Sequence, residues 1–266
     1  FVLCFANCRK DQITTNPNDK IAFATDTLSF DTLFTTIGSA TKSFTIYNPN
    51  DQPIVISRIY AEGDTRRLFR FNANGVAFNG TDGSAQDLEV WAHDSLHVFV
   101  DVTIDPRDEN TPFIVQDTVV VETNGNRQTL TLLAWGQDAH FFGRNMPQGQ
   151  VVAATQDTTW TNDKPYVIFN GIIIDSLHTL TIEPGVRVHI YNYGSIIVKG
   201  KLIANGGNWS DTTQIVKFGG VRTENGQPEY LGNDYTGGLL PSWQQESDYT
   251  DIPGQWNGFI LWPGSE

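Results

Sequence analysis

Between Thr223 and Gly254 the chain reads TENGQPEYLGNDYTGGLLPSWQQESDYTDIPG. Here Tyr230, Tyr235, Trp243 and Tyr249 alternate with Glu229, Asp234, Glu246, Asp248 and Asp251, and Trp256 and Trp262 follow just beyond. Aromatic rings stack on the apolar faces of sugars, while carboxylate oxygens beside them accept hydroxyl protons or hold calcium. Tyr230, Tyr235, Trp243 and Tyr249 are therefore the candidate ligand-binding residues. A glycan or a surface protein is the candidate partner, and calcium the one cofactor the acids suggest. The alternative use of the same residues is structural, with the rings packing the loop down and the acids facing water.

Catalysis needs a tighter arrangement. A glycosidase requires a carboxylate pair at a defined separation, and a lyase requires calcium with a positioned Arg or Lys as base. Asp175, Glu183, Arg187, Lys199 and Lys201 fall on or beside the preceding strands, but no aspartate row repeats along one face. No catalytic residue is assigned, and a polysaccharide lyase or glycosidase stands as the alternative to a non-catalytic binding or structural protein. His93 and His97, four apart, would form a metal pair on a helix; in a turn-and-strand pattern their rings need not converge, so no metal set is assigned. The formal net charge of -13 argues against nucleic acid, which demands a basic face.

The elements that must position the loop are short strands. From Pro165 to Phe218 runs of three to six residues rich in Ile and Val are closed by Asn, Gly or Pro. Leu180 with Ile182, Val186 with Val188 and Ile190, and Ile196 with Val198 alternate at period two, so each strand offers one face to a shared core. Strands this short gain stability by stacking. The phrases LTIEPGVRVHIYNYGSIIVKGKLIANG (Leu180 to Gly206) and QWNGFILWPGS (Gln255 to Ser265) resemble coils of right-handed parallel β-helix proteins of bacterial cell surfaces. That resemblance implies a rod of stacked rungs, interrupted by the loop at 223–254 and expected to continue past Glu266.

Upstream the pattern lengthens. Leu96, Val98, Val100, Val102 and Ile104 form one row, against His97, Phe99, Asp101 and Thr103 on the other. Similar strands are expected at Lys42 to Tyr47, Ile54 to Tyr60, Leu68 to Asn72, Val115 to Thr123 and Gln128 to Trp135, with Asn124-Gly125 as a type I′ hairpin turn joining the last two. About seven strands in this stretch point to an immunoglobulin-like sandwich. The phrase TKSFTIYNPNDQPIVISRI (Thr41 to Ile59) resembles abnormal-spindle-type sandwich domains, which implies a spacer or interaction module. The expected fold class is thus all-β, an immunoglobulin-like β-sandwich over 21–143 followed by the start of a right-handed parallel β-helix over 144–266.

The two cysteines, Cys4 and Cys8, lie too close together to staple a scaffold. Phe1 to Asn7 is apolar and meets Cys8 before Arg9, Lys10 and Asp11, which resembles a bacterial lipobox followed by the export signal of Bacteroidota surface lipoproteins. The resemblance implies a signal remnant over 1–8, lipidation of Cys8, a polar tether over 9–20, and an outer-membrane, cell-surface address through a lipid anchor. Asp followed by Ser or Thr recurs ahead of apolar residues or Thr, and it resembles the O-glycosylation acceptor motif of the same exported proteins. The candidate acceptors are Thr27, Thr32, Ser95, Thr118, Thr158, Ser176 and Thr212; Asp-Thr before a strand is also good turn chemistry. Replacing Cys8 with Ala should release the protein from membranes, and failure of the wild type to incorporate labelled palmitate would remove the anchor.

Overall fold

The computed structural model describes residues 12–79, 83–147, 149–207, 210–220, 222–224, 227–230 and 257–266. The fold is all-β, its only helical turns among these residues being 3-10 segments at Arg66–Leu68 and Thr212–Gln214. Ten strands come first: β1 (Ala22–Phe23), β2 (Thr27–Phe34), β3 (Lys42–Tyr47), β4 (Ile54–Ala61), β5 (Phe69–Ala73), β6 (Val76–Asn79), β7 (Ala85–Val90), β8 (Ser95–Val102), β9 (Phe113–Thr123) and β10 (Asn126–Gln137). They form two five-stranded sheets, ordered β1-β3-β8-β5-β6 and β2-β10-β9-β4-β7, whose non-consecutive neighbours require crossovers.

Period-two alternation explains why these sheets form a sandwich. Leu96, Val98, Val100 and Val102 on β8 are buried with Ile104 beyond it, whereas Phe99 between them is 48% exposed. Phe44 and Ile46 join them from β3, in antiparallel register with Val98 and Leu96. The opposing sheet contributes Ile54, Ile56, Val119, Val121, Leu130 and Leu132, and Phe30 meets Phe69 across the layer at 6.2 Å. Asn124 and Gly125 take φ of 47° and 76°, as a type I′ turn demands of both central residues. Asn48 of the NPN phrase is buried as a pin: its Nδ2 donates to the carbonyls of Gln52, Val90 and Trp91, and its Oδ1 accepts from the Asn50 amide.

Grouped by contacts, the chain falls into two units that interleave in sequence. One comprises the chain through Phe30 with Thr41–Thr103 and Val115–Ala134; the other comprises Asp31–Ala40, Ile104–Ile114 and the chain from Trp135 onward.

The second unit is built on parallel strands: β11 (His140–Phe142), β12 (Val152–Ala154), β13 (Thr158–Trp160), β14 (Tyr166–Ile174), β15 (Thr179–Ile182), β16 (Arg187–Val198), β17 (Lys201–Ala204), β18 (Lys217–Gly220), the antiparallel pair β19 (Arg222–Glu224) and β20 (Gln227–Tyr230), and β21 (Phe259–Leu261). Thr158 pairs with Leu180, Thr179 with Lys201 and Tyr166 with Val188 at one shared offset in sequence, whereas β11 and β12 on β14, the second half of β14 on β16, and β18 and β21 on β16 pair at other offsets, so layer length varies along the stack. One sheet joins β11 and β12 to β14, then β16, then β18 and β21; the other is β13-β15-β17. Both contribute to one hydrophobic core, in which Leu180 and Ile182 lie with Ile168, Ile172, Ile174, Ile190, Ile196 and Val198. Each such side chain contributes about 1.5–3 kcal/mol of burial.

Glycine is required where layers change length. Tyr166 pairs with Val188 at the common offset, but Gly171 pairs with Ser195, so β16 carries extra length at this point. There φ is 141°, and a Cβ would stand 2.6 Å from the Ser195 carbonyl oxygen. A Cβ on Gly200 would stand 2.2 Å from the Asp175 carbonyl oxygen, so only glycine fits where two turns stack. Ile196→Ala should cost about 2–5 kcal/mol by opening a cavity, while Ile197→Ala, one residue along on the opposite face, should cost under about 1 kcal/mol. Denaturant midpoints check this, and equal losses would contradict the assignment of faces.

Candidate functional site

The second unit contains a cleft of about 540 Å3 lined by Thr35, Thr36, Pro106, Arg107, Asp108, Asp138, Ala139, Phe141 and Lys164. Its floor is organised by Asp138, 3% exposed just after β10. One carboxylate oxygen accepts the backbone N–H groups of Arg107 and Glu109 at 3.0 and 2.9 Å, gathering the 105–110 segment around Asp108, whose φ of 65° turns the amides inward. The other oxygen, Oδ1, is buried with no hydrogen-bond partner among the described residues. Gln137 anchors the same segment through Nε2 to the Asn110 carbonyl at 2.9 Å, and Arg187 donates to Asn110 Oδ1 at 2.5 Å. Lys164 donates to Asp108. That hydrogen bond, opposed by burial and reinforced by the charges of Asp108, Asp163 and Asp138, holds the ammonium pKa above its ordinary value.

The opposite wall is strained. Thr36 has φ of 63°, a conformation that costs a β-branched residue about 1–3 kcal/mol. It is held from both sides: its amide donates to the Ile104 carbonyl at 2.7 Å, and the Arg144 guanidinium donates to its hydroxyl at 2.5 Å and to its carbonyl. The same guanidinium lies 5.6 Å from the Phe141 ring centroid.

Beside the cleft, the outward face of β14 and β16 is covered. Val167, with Phe141, Phe169 and Tyr191 around it, packs under Phe34 and Ile37 of the Asp31–Ala40 segment. His189, paired with Val167 in register, is 3% exposed against the Phe34 ring at 5.6 Å. Burial, with the Arg187 charge secondary, pushes the imidazole down to about 3.

Of the loop residues read as ligand-binding, Tyr230 ends β20 opposite Arg222, while Tyr235, Trp243 and Tyr249 lie outside the described residues, as does Cys8. Trp262, just after β21, is 54% exposed, with Lys199 Nζ 5.0 Å from its ring centroid. The dispersed charged residues are not brought together: Arg187 binds Asn110, Lys201 pairs with Glu266 at 2.9 Å, and Asp175 accepts its neighbour Ser176's amide. His97 meets Thr45 and His93 meets Asp51, so those rings do not converge. No group of three or more metal-ligating side chains occurs among the described residues.

The Asp-Ser/Thr motifs have visible structural uses. Asp94 and Asp175 each accept the next residue's amide, and Asp157 accepts the Thr179 amide. Asp117 ties down Gly63, Thr65 and Thr118, and Asp211 caps the 3-10 turn through Thr213. Ser176 and Thr212 are exposed, Thr27, Ser95, Thr118 and Thr158 are half-buried, and Thr32 at 4% exposure leaves no space for a sugar on the folded chain. The cleft itself was not found by sequence reading. Asp138 and Lys164 are distant in sequence and neither belongs to a motif; the sole local cue is the charged DPRDEN run at Asp105 to Asn110.

No family model matches the chain, and no curated protein does. Among solved structures, PapD-like domain 7 of human CEP192 is similar over 47% of this chain and 89% of its own, at 13% identity and a TM-score of 0.29. A family 123 glycoside hydrolase from Clostridium perfringens matches over 44% of this chain and 26% of its own (9% identity, TM-score 0.30), and the E. coli chaperone DraB over 43% and 54% (9%, 0.28). The chain thus spans about a quarter and about a half of the latter two. Likenesses at these scores carry no assignment of family or activity.

His189 generates a pH prediction. Its folded-state pKa lies below the ordinary 6.5, so below that pH the unfolded chain takes up a proton that the folded chain refuses. Its contribution is complete above 6.5 and is lost as pH falls toward about 3, with a slope of about 1.4 kcal/mol per pH unit. His189→Leu should flatten the stability profile across this window relative to wild type, and an unchanged slope would show that the imidazole titrates normally.

Proposed function

We propose that this chain is a non-catalytic, lipid-anchored protein of the bacterial outer surface, a binding or structural module in which an immunoglobulin-like sandwich spaces a right-handed parallel β-helix from the membrane. Its partner is a glycan or another surface protein, engaged on the side of the β-helix carrying the insertion at 223–254. Support for the coil comes from the parallel pairing of strands in both sheets and the aliphatic core those sheets share. The observation that carries the binding reading is the strand to which the insertion returns: Phe259, Ile260, Leu261 and Trp262 are 42%, 42%, 70% and 54% exposed. Successive strand residues point to opposite faces, so Ile260 and Trp262 share one side, and Trp is among the residues that most often dominate binding energy at interaction surfaces. Ser176 and Thr212, both exposed, are the positions where O-glycosylation is expected first.

A glycan array probed with wild type and with Trp262→Ala and Trp243→Ala should show binding that each substitution weakens at least tenfold, about 1.4 kcal/mol or more. Release of reducing sugar from any bound glycan would replace this reading with the lyase or glycosidase alternative.

A further inference from the structure

We infer that the cleft over Asp138 is a separate binding site for a neutral, polyhydroxylated ligand, a saccharide ring in its chemical class. The site uses none of the residues of the insertion or of β21, so it goes beyond the reading above. Its volume of about 540 Å3 falls within the usual range for small-molecule sites. Two cationic side chains, Arg107 and Lys164, and two anionic ones, Asp108 and Asp138, line it, so it carries no formal excess of either sign. The chain as a whole is strongly acidic, which disfavours an anion further.

The polar groups suit hydroxyls in particular. Asp108 and Lys164 form a carboxylate–ammonium pair at the surface of the cleft, an acceptor beside a donor, and adjacent sugar hydroxyls can give a hydrogen to one and take a hydrogen from the other. Beneath this pair Asp138, 3% exposed, fixes the Arg107 and Glu109 amides and so holds Asp108 in place. The half-buried ring of Phe141 offers the apolar contact that a pyranose face requires. Thr36 lines the same cleft in a strained conformation over-determined by Arg144, and strain of this kind is retained at ligand clamps.

The test is to titrate the full chain with the methyl glycosides of glucose, galactose and N-acetylglucosamine, following backbone amide shifts up to about 20 mM, enough to detect a millimolar Kd. At least one sugar is expected to shift the amides of Thr36, Arg107, Asp108, Phe141 and Lys164. Lys164→Met and Asp108→Asn should each weaken that binding about tenfold or more with thermal unfolding little changed. The inference is overturned if none of the sugars shifts these amides, if sodium sulfate shifts them and the sugars do not, or if both variants bind as tightly as wild type. Because Trp262→Ala leaves this cleft intact, loss of array binding in that variant with these shifts preserved supports two independent sites. Absence of the shifts beside normal array binding sinks the cleft alone.

Discussion

Backbone hydrogen bonding between parallel strands in a register that matches inward-facing rows is the constraint on which the second unit depends. Once Tyr166 pairs with Val188 and Thr179 with Lys201, every inward position of one layer lies against an inward position of the next, so Ile168 meets Ile190 and Leu180 meets Leu202. A single-residue slip would turn these rows outward and put Val167, His189 and Ile197 in their place. Layer length nevertheless varies along the stack, and the extra length of β16 is taken up opposite Gly171, whose φ of 141° side-chain-bearing residues rarely adopt.

The outer face of the same strands obeys a different logic. Val167 and His189 point away from the aliphatic core, yet both are buried, because Phe34 and Ile37 lie over them. Covering that face desolvates an imidazole that would otherwise titrate near neutrality, and it converts a pH-sensitive residue into a neutral packing element. Charge is not removed everywhere in this unit. Asp138 uses one oxygen on two loop amides and keeps the other unsatisfied among the described residues, and Lys164 stays protonated beside Asp108. Local stability is given up around that cleft, at Thr36 as well as at Asp138, while the aliphatic core is made largely of side chains with no polar atoms.

Much of the strand content was legible because period-two patterns need no tertiary information. The β3 strand, Lys42–Tyr47, is found where the alternation places it, and the Leu96 to Ile104 row is buried throughout with Phe99 between its members turned out. The Asn124-Gly125 turn was equally readable, since a two-residue loop with both φ positive selects those residue types. Strands such as β2 escaped: in TLSFDTLF the apolar residues alternate only at first and then run together, and the last of them, Phe34, is buried by the 31–40 packing instead of by a period. The cleft escaped for a related reason. Its lining comes from segments around positions 35, 107, 138 and 164, and no spacing rule links residues that far apart.

Sequence alone, then, determined that the chain is all-β, where many of its strands run, and which rows of Ile and Val face inward, because alternation and turn chemistry are properties of neighbouring residues; the expected runs of three to six residues were joined by the fold into the longer strands Tyr166–Ile174 and Arg187–Val198. Only the tertiary structure decided the register in which the layers pair, that the segments at 31–40 and 104–114 group with the chain from Trp135 onward, and that Asp108, Asp138 and Lys164 meet. Those outcomes depend on which surfaces exclude water together, and that is a relation among distant segments that no local pattern encodes.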